Sequence, residues 1–189
     1  MNSEIRALIE KKETEESLRM EFESTLSDRV SRYIQVKPHG ISPNQHFASI
    51  SGECAELYRD GHFYGCIALT QAVAEALVRF LCEQNSWKPG KQFEENVKNL
   101  CTRTKHPPQL ADQLLKIWQR RDDYHHLNPS IEKDRSQLQI LAEQKARLLA
   151  SVEGEVFGFT VKQGTLIPNY PKYWDINGDH STVFLRLDE

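Results

Sequence analysis

A ten-residue segment, RRDDYHHLNP at 120–129, holds an unusually dense set of chemically capable side chains. It combines two guanidiniums, two carboxylates, a phenol, two imidazoles and an amide. A guanidinium offers a planar fork of donors to phosphate oxygens, and an imidazole with its ordinary pKa of about 6.5 exchanges a proton near neutral pH. Together they suit phosphodiester cleavage in which a ribose 2′-hydroxyl is the internal nucleophile. The segment therefore predicts RNA as the substrate, because DNA lacks that hydroxyl.

The spacing within this segment decides which side chains can meet. On a regular helix Arg121 and His125 lie about 40° from eclipsed, whereas Arg121 and His126 lie about 140° apart. The second pair converges only if the helix is distorted. Since Asn128-Pro129 gives a reason for distortion near His126, either imidazole could meet the Arg121 guanidinium. Both pairings stay open at this point.

Apolar residues at helical spacing predict the elements that position the segment. The fourth predicted helix matters most, because Arg121 continues its apolar face four residues after Ile117 and so places a cation at the edge of a packed surface. Five helices are predicted. The first runs from about Gln45 to Asp60-Gly61, the second covers GCIALTQAVAEALVRFLCEQ, and the third runs from Phe93 to about Cys101. The fourth covers PQLADQLLKIWQRRDDYHH after Pro107, and the fifth runs from about Ser130 to Val152.

The two ends of the chain have other patterns. Residues 1–44 are expected to form a helical arm and linker: Leu18, Phe22, Leu26 and Val30 recur every four residues, and VKPHGISPN is typical of a loop. Residues 1–30 hold eight acidic and five basic side chains, so the arm is acidic.

Residues 153–189 are expected to form a β-hairpin appendage. Apolar residues alternate with polar ones at Phe157, Phe159 and Val161 and again at Val183, Leu185 and Leu187. Asn177-Gly178 lies between YPKYWDI and STVFLRL and is a hairpin-turn signal. The fold class predicted for the whole chain is mainly α, with a helical bundle over residues 45–152.

Arg121, Asp122 and His126 resemble the motif of the HEPN superfamily. Active members of that superfamily carry an Arg, then a polar residue that is often Asn, Asp or His, then a His four to six intervening residues after the Arg. The order of helices in residues 45–150, with the long helix in ELYRDGHFYGCIALTQAVAEALVRFLCEQ and the motif at the end of a later helix, also looks like that bundle. Arg120 with His125 or His126 satisfies the spacing too, but Arg120 is off the apolar face and is followed by another Arg.

The resemblance implies a homodimer in which two motif helices join their Arg and His residues into one composite, metal-independent ribonuclease site. Arg121 would hold the phosphate, His126 would act as acid or base with His125 as its competitor, and Asp122 would orient them. Many members are toxins, with an antitoxin as partner, or phage-defence effectors. Others are inactive modules that bind RNA or protein, which is the alternative for this chain.

Composition limits what else the chain can do. With 189 residues and a formal charge of −3, it is long enough for one domain and has no overall cationic excess, so an RNA site must be a local patch. The cations between Lys98 and Arg121 outnumber the acids there, and Lys116, Arg120 and Asn128 are the expected RNA-binding residues.

The remaining patterns argue against several other classes of protein. No apolar stretch approaches the length of a membrane span, so a soluble protein without a membrane partner is expected. The four cysteines lack the close spacing of a zinc site, and reduced, buried thiols in the cytoplasm are expected. Neighbouring ligands such as Asp122 and Asp123 point about 100° apart on a helix, so no metal is predicted. No nucleotide-binding glycine loop is present, and no cofactor is predicted.

Overall fold

A computed structural model describes residues 3–43, 46–104, 106–126, 128–129, 134–174 and 183–185. The chain is mainly helical, with small antiparallel sheets of two strands each. The helices within the described residues are α1 (Ser3–Gln35), α2 (Ala48–Arg59), α3 (Phe63–Gln84), α4 (Phe93–Arg103), α5 (Pro108–Trp118), α6 (Arg121–His125) and α7 (Arg135–Val156). The strands are β1 (Ile41–Pro43), β2 (Phe159–Lys162), β3 (Thr165–Pro168) and β4 (Val183–Leu185).

Helix α3 is the central element of the bundle. It packs against α2, α4, α5, α6 and α7, and twelve of its residues are buried, including Ile67, Ala74 and Leu77. By length and composition alone α3 could cross a membrane, but 61% of its most apolar window is buried inside the fold. A long apolar helix that is mostly covered by other helices, with its charged residues Arg79 and Glu83 on the exposed side, is typical of the core of a soluble protein.

The cysteines belong to this core. Cys54, Cys66 and Cys82 are buried, Cys101 is partly buried, and all four lie in described segments without a disulfide. Burial raises the pKa of the Cys66 thiol to about 12. The prediction of reduced thiols packed as small apolar groups is confirmed for the three buried ones.

Helix α1 contacts the bundle only through its last two turns. Residues 3–28 are exposed along their whole length. Arg29 forms an ion pair of 2.7 Å with Asp60, and Arg32 donates to the backbone oxygen of Arg59 at the end of α2. The arm therefore extends away from the bundle as a helix of about 50 Å, and its first half is helical as well as its second.

The strands differ from the pattern that the sequence predicts. VKPHGISPN is not only a linker, because Ile41–Pro43 forms β1 and pairs antiparallel with β4. The expected hairpin between YPKYWDI and STVFLRL is wrong in its pairing: residues 171–173 form a 3₁₀ turn, and 183–185 pair with β1 instead. Asn177-Gly178 and Leu187 lie outside the described residues.

The hairpin that the structure shows is β2–β3, which pairs Phe159 with Pro168 and Lys162 with Thr165. Its two-residue turn, Gln163-Gly164, has φ of 50° and 79°. Positive φ at both positions is the signature of a type I′ turn, whose twist matches that of antiparallel strands. Helix α7 continues beyond its expected end at residue 152 and ends at Val156. Phe157, which was expected in the strand, is the C-terminal cap of α7 and lies before β2.

The C-terminal region packs into the bundle. Phe157, Tyr173 and Trp174 are fully buried in the same cluster as residues of α3, α4 and α5. Gly158 makes the close approach possible, since a Cβ there would lie 2.6 Å from the backbone oxygen of Gly154. These three side chains thus belong to the same core as the bundle, whereas most of the β2–β3 hairpin is exposed.

His106, in the turn between α4 and α5, connects this region to the bundle. Its Nε2 lies 2.8 Å from the Tyr173 hydroxyl, and the two rings are nearly parallel with centroids 5.5 Å apart. Burial, with a smaller contribution from the Lys172 charge, lowers the pKa of His106 to about 4. The imidazole is therefore neutral in the folded protein at pH 7.

We expect His106 to make the stability of the protein depend on pH. Because the pKa of His106 is about 4 in the folded chain and about 6.5 in the unfolded chain, the unfolded chain binds an extra proton between these values. The free energy of unfolding should fall by about 3 kcal/mol as the pH falls from 6.5 to 4. Urea denaturation gives the free energy of unfolding of wild type and of His106→Gln at several pH values. The difference between the two proteins measures the contribution of His106, and it should shrink as the pH falls from 6.5 to 4. Parallel pH profiles for the two proteins would contradict it.

Candidate functional site

The predicted fourth helix is interrupted immediately before the motif. Helix α5 ends at Trp118, Arg120 has φ of 61° and ψ of 27°, and α6 begins at Arg121. A left-handed conformation is uncommon for a residue other than glycine, asparagine or aspartate. The expectation of one continuous helix through PQLADQLLKIWQRRDDYHH is therefore wrong, and the motif lies on a separate five-residue helix with its own direction.

Two buried side chains account for the interruption. The Lys145 ammonium, on α7, donates to the backbone oxygens of Ile117, Gln119 (2.8 Å) and Lys116 (3.4 Å). The Gln71 amide, on α3, lies 3.1 Å from the oxygens of both Ile117 and Gln119. Carbonyls that would accept from the next helical turn accept from these side chains instead. The α5 C-terminus is thus tied to α7 and α3, and the chain turns at Arg120.

Lys145 is buried, with 1% of its surface exposed. Burial, and to a lesser extent the Arg120 charge, lowers the pKa of Lys145 to about 8. At pH 7 the ammonium is therefore still charged, and it faces the negative end of the α5 dipole. This arrangement supplies several acceptors to a buried cation.

Arg121 is held against an aromatic stack. Its guanidinium lies 4.9 Å from the ring centroid of Trp118, and Trp118 stacks on Phe93 with centroids 4.2 Å apart and planes 15° apart. Arg121 Nε is buried without a hydrogen-bond partner among the described residues, whereas Nη1 lies 3.3 Å from Oδ1 of Asp122. The stack fixes the plane of the guanidinium and leaves its terminal nitrogens at the surface.

Asp122 connects the arginine to one of the two histidines. Its Oδ1, the same atom that contacts Arg121, lies 3.9 Å from Nε2 of His126. Helix α6 ends at His125, so His126 has left the helix, and the backbone distortion expected near it is present. Asp122 and His126 are strongly exposed, with 86% and 69% of their side chains accessible.

His125 points the other way, toward the bundle. Burial is the main cause that lowers the pKa of His125, the Arg121 charge adds to it, and a hydrogen bond with the Ala68 backbone opposes it. Its Nε2 is buried and has no partner in the described chain. Of the two imidazoles, His126 is the one that a macromolecular substrate can reach.

The three residues expected to bind RNA already have neighbours within the chain. Lys116 pairs with Asp112 at 2.7 Å, Arg120 pairs with Asp123 at 2.9 Å, and Asn128 donates to the other oxygen of Asp123 at 3.1 Å. The hydrogen bond from Arg120, followed by that from Asn128, lowers the pKa of Asp123. A phosphate that binds these groups would compete with carboxylates at an exposed surface, where such pairs are weak.

An open groove of about 550 Å³ runs beside Arg121. The start of α4, the end of α5 and residues 119–123 line it, with Trp118 and Phe93 on its wall. Three cations and three carboxylates line the groove, so its charge is balanced. Within the described parts of the chain, no three metal-ligating side chains come together.

Comparisons of the chain with protein-family models, with curated proteins and with solved structures find no match. The fold defines a mainly helical bundle with small antiparallel sheets. The site defines an Arg–Asp–His cluster on α6 and the residue that follows it, at the edge of that bundle.

Sequence reasoning missed the roles of four residues that hold the motif in place: Trp118, Asp123, Lys145 and Gln71. Trp118 precedes Arg121 by three residues, a spacing that could have suggested their contact. Asp123 was visible in the dense segment, but its role as partner of both Arg120 and Asn128 depends on the turn at 119–120. Lys145 falls among the inward positions of α7, which was a usable signal, because a lysine there needs buried acceptors. Nothing in the sequence marks Gln71.

We expect Lys145→Met to destabilise the protein and loosen α6. The substitution keeps most of the side-chain volume but leaves the backbone oxygens at the end of α5 short of donors, which should cost about 1–3 kcal/mol of the free energy of unfolding. Amide hydrogen exchange at His126 and Asn128, whose NH groups donate to Asp122 and Asp123, should become faster.

Lys116→Met is the matched control. It removes an ammonium that pairs with Asp112 at the exposed surface and should change the free energy of unfolding by less than about 0.5 kcal/mol. Equal effects of the two substitutions, or unchanged exchange in α6 of Lys145→Met, would show that the ammonium does not hold this junction.

Proposed function

We propose that the protein is a metal-independent endoribonuclease of HEPN type. The observation that carries this proposal is that one carboxylate oxygen, Asp122 Oδ1, lies near both the Arg121 guanidinium and the exposed His126 imidazole. A cation able to bind phosphate and a ring able to exchange a proton are thereby close together, one on α6 and the other on the residue that follows it. The open groove beside Arg121 gives a flexible RNA strand access to them.

In the proposed reaction, Arg121 binds the non-bridging phosphate oxygens and stabilises the charge that develops on them. His126 takes the proton of the ribose 2′-hydroxyl as its oxygen attacks phosphorus, and a protonated imidazole gives a proton to the departing 5′-oxygen. The products are a 2′,3′-cyclic phosphate and a free 5′-hydroxyl. Asp122 keeps the arginine and the imidazole together, because one of its oxygens lies near both.

The acid and base roles need two imidazoles. We propose that a second copy of the chain supplies the other Arg121 and His126, so that the composite site forms at a homodimer interface. His125 is too enclosed in the bundle to serve the same substrate directly. Lys116, Arg120 and Asn128 border the motif and would take neighbouring phosphates by exchanging their intramolecular carboxylate partners for RNA.

The cellular role in this proposal is that of a toxin or phage-defence effector in the cytoplasm. An enzyme that cuts cellular RNA needs control, and an antitoxin or another protein partner would provide it. The acidic exposed arm, α1, is available for such a contact. Reduced, buried cysteines fit that compartment.

We expect His126→Ala to lower RNA cleavage by about 10²- to 10⁴-fold, because the transition state loses its proton acceptor. Arg121→Ala should lower it by at least about 10²-fold, because the developing charge loses its donor. Cleavage of labelled single-stranded RNA, with and without EDTA and from pH 5 to 9, measures both. Circular dichroism and thermal melts should show that the variants keep the wild-type fold.

The matched control is His46→Ala, which removes an exposed imidazole outside α6 and should leave cleavage unchanged. Wild-type protein that leaves RNA uncut in all these conditions, or a fully active Arg121→Ala/His126→Ala double variant, would overturn the proposal. Cleavage that EDTA abolishes and metal restores would overturn its metal-independent part.

A second candidate function is that of a catalytically inactive module that binds RNA or protein. One observation favours protein binding: Leu18, Phe22, Leu26 and Val30 lie along α1 at 43–60% exposure, and none of them belongs to the core clusters of the described residues. An apolar row of this length on a soluble helix is typical of an interface. From Ser17 to Gln35 the helix has three basic and three acidic residues, so two copies of this half can approach without net repulsion. The occupant we propose is α1 of a second copy.

We expect wild-type protein to be dimeric in sedimentation and light scattering, and Leu18→Glu/Phe22→Glu to be monomeric at the same concentration, because two buried carboxylates per helix would oppose pairing. Ser17→Glu/Ser24→Glu adds the same charges on the opposite face of α1 and should remain dimeric. A dimer that survives Leu18→Glu/Phe22→Glu uses another surface and would contradict this candidate.

A further inference from the structure

A second concave site lies at the opposite end of α4 and α5 from the motif. Its volume is about 490 Å³, and it is formed by the end of α3, the end of α4, the turn at His106 and residues 169–173. Helix α4 has 11 residues, so the two sites are separated by roughly 16 Å along its axis. Sites of this size bind small organic ligands or single units of a polymer.

The charged side chains described at this site are all positive. Arg103 and Lys172 are exposed at its rim, and no carboxylate occurs among the described residues that line it. The groove beside Arg121, in contrast, has as many carboxylates as cations. The two cations have orientations fixed by the fold: the Arg103 guanidinium lies 5.4 Å from the ring centroid of Trp87, and the Lys172 ammonium lies 4.9 Å from that of Tyr173 and contacts the Asn85 side-chain oxygen. An anion is the ligand that this lining favours.

The wall of the site is aromatic. The Tyr170 ring is half-buried, with its centroid 4.5 Å from that of His106, which in turn lies parallel to the Tyr173 ring. The Tyr170 hydroxyl donates to Glu155 at 3.3 Å, so the ring is fixed by this hydrogen bond as well as by His106. A half-exposed ring held in this way is a platform on which a flat heterocycle can stack.

His106 adds a polar atom to the same wall. Its Nδ1 is buried without a hydrogen-bond partner among the described residues, and its ring as a whole is 5% exposed. Asn169 adds an exposed amide beside Tyr170. The site thus combines cations, a stacking surface and amide groups, which are the groups that recognise phosphate, base face and base edge respectively.

We propose that this site binds a nucleoside monophosphate unit, with the base against Tyr170 and the phosphate between Arg103 and Lys172. The unit is either a free nucleotide or one nucleotide of a single-stranded RNA. The inference goes beyond the proposed ribonuclease function, because no residue of the motif takes part in it. If the unit belongs to RNA, the site holds the strand at a distance from the motif.

The experiment has two arms, which separate the two sources of the ligand. Isothermal titration with AMP, GMP, CMP and UMP tests free nucleotides, and fluorescence anisotropy with a labelled ten-nucleotide RNA tests the strand. In whichever arm shows binding, Lys172→Ala and Arg103→Ala should each raise the Kd by about ten-fold or more, and Tyr170→Leu by about five-fold or more. The control Lys162→Ala removes an exposed cation of β2 and should leave the Kd unchanged.

Arg121→Ala/His126→Ala should bind as wild type does in the titration, which keeps this result distinct from that of the cleavage assay. Lys172 is an exposed residue, so Lys172→Glu serves as a second variant; it should keep the wild-type fold by circular dichroism and abolish binding. Absence of binding in both arms by folded wild-type protein would overturn the inference. Binding that Lys172→Glu and Tyr170→Leu leave unchanged would overturn it as well.

Discussion

The Lys145 ammonium and the Gln71 amide, at the carboxyl end of α5, form the contact on which the arrangement of the site depends. A buried cation is costly unless several oxygens surround it, and the last carbonyls of α5 are such oxygens. Those carbonyls gain donors that the helix itself no longer provides. The contact joins α3, α5 and α7 at one point, and the chain must leave the axis of α5 there.

The direction in which the chain leaves decides the geometry of the motif. Because α6 is a separate helix that begins at Arg121, the guanidinium can lie over the Trp118 ring while Asp122 and His126 face solvent. On a continuous helix the same residues would be distributed around the axis, with Arg121 and His126 about 140° apart. The turn at Arg120 and the end of α6 at His125 therefore bring together groups that the primary spacing separates. Asp123 stabilises this turn through Arg120 and Asn128.

The charges of the surface are distributed unevenly along α4 and α5. At the end that holds the motif, cations are paired with carboxylates, and a ligand must displace those pairs. At the other end, Arg103 and Lys172 lie beside fixed aromatic rings and amides. An anion at that end meets no carboxylate among the described residues that line the site.

Helix positions were accessible from sequence because they depend on local rules. The apolar period of 3.6 residues located α2, α3 and α4 closely, and Pro107-Pro108 marked the start of α5. The turn at Gln163-Gly164 was missed because it lacks the Asn-Gly signal, and the pairing of β1 with β4 was missed because it joins segments about 140 residues apart. No local sequence pattern specifies the strand with which a three-residue strand will pair.

The sequence by itself determined the mainly helical class, the segment in which chemically capable side chains are concentrated, and the position of the long apolar helix α3. Tertiary structure alone decided that α5 stops at Trp118, that His126 rather than His125 faces solvent, and that Tyr170, Tyr173 and His106 meet in one wall. The physical reason is the range of the interactions. Helical periodicity acts between residues three or four apart, whereas the donors that end α5 come from α3 and α7, 46 and 28 residues away from Ile117 along the chain.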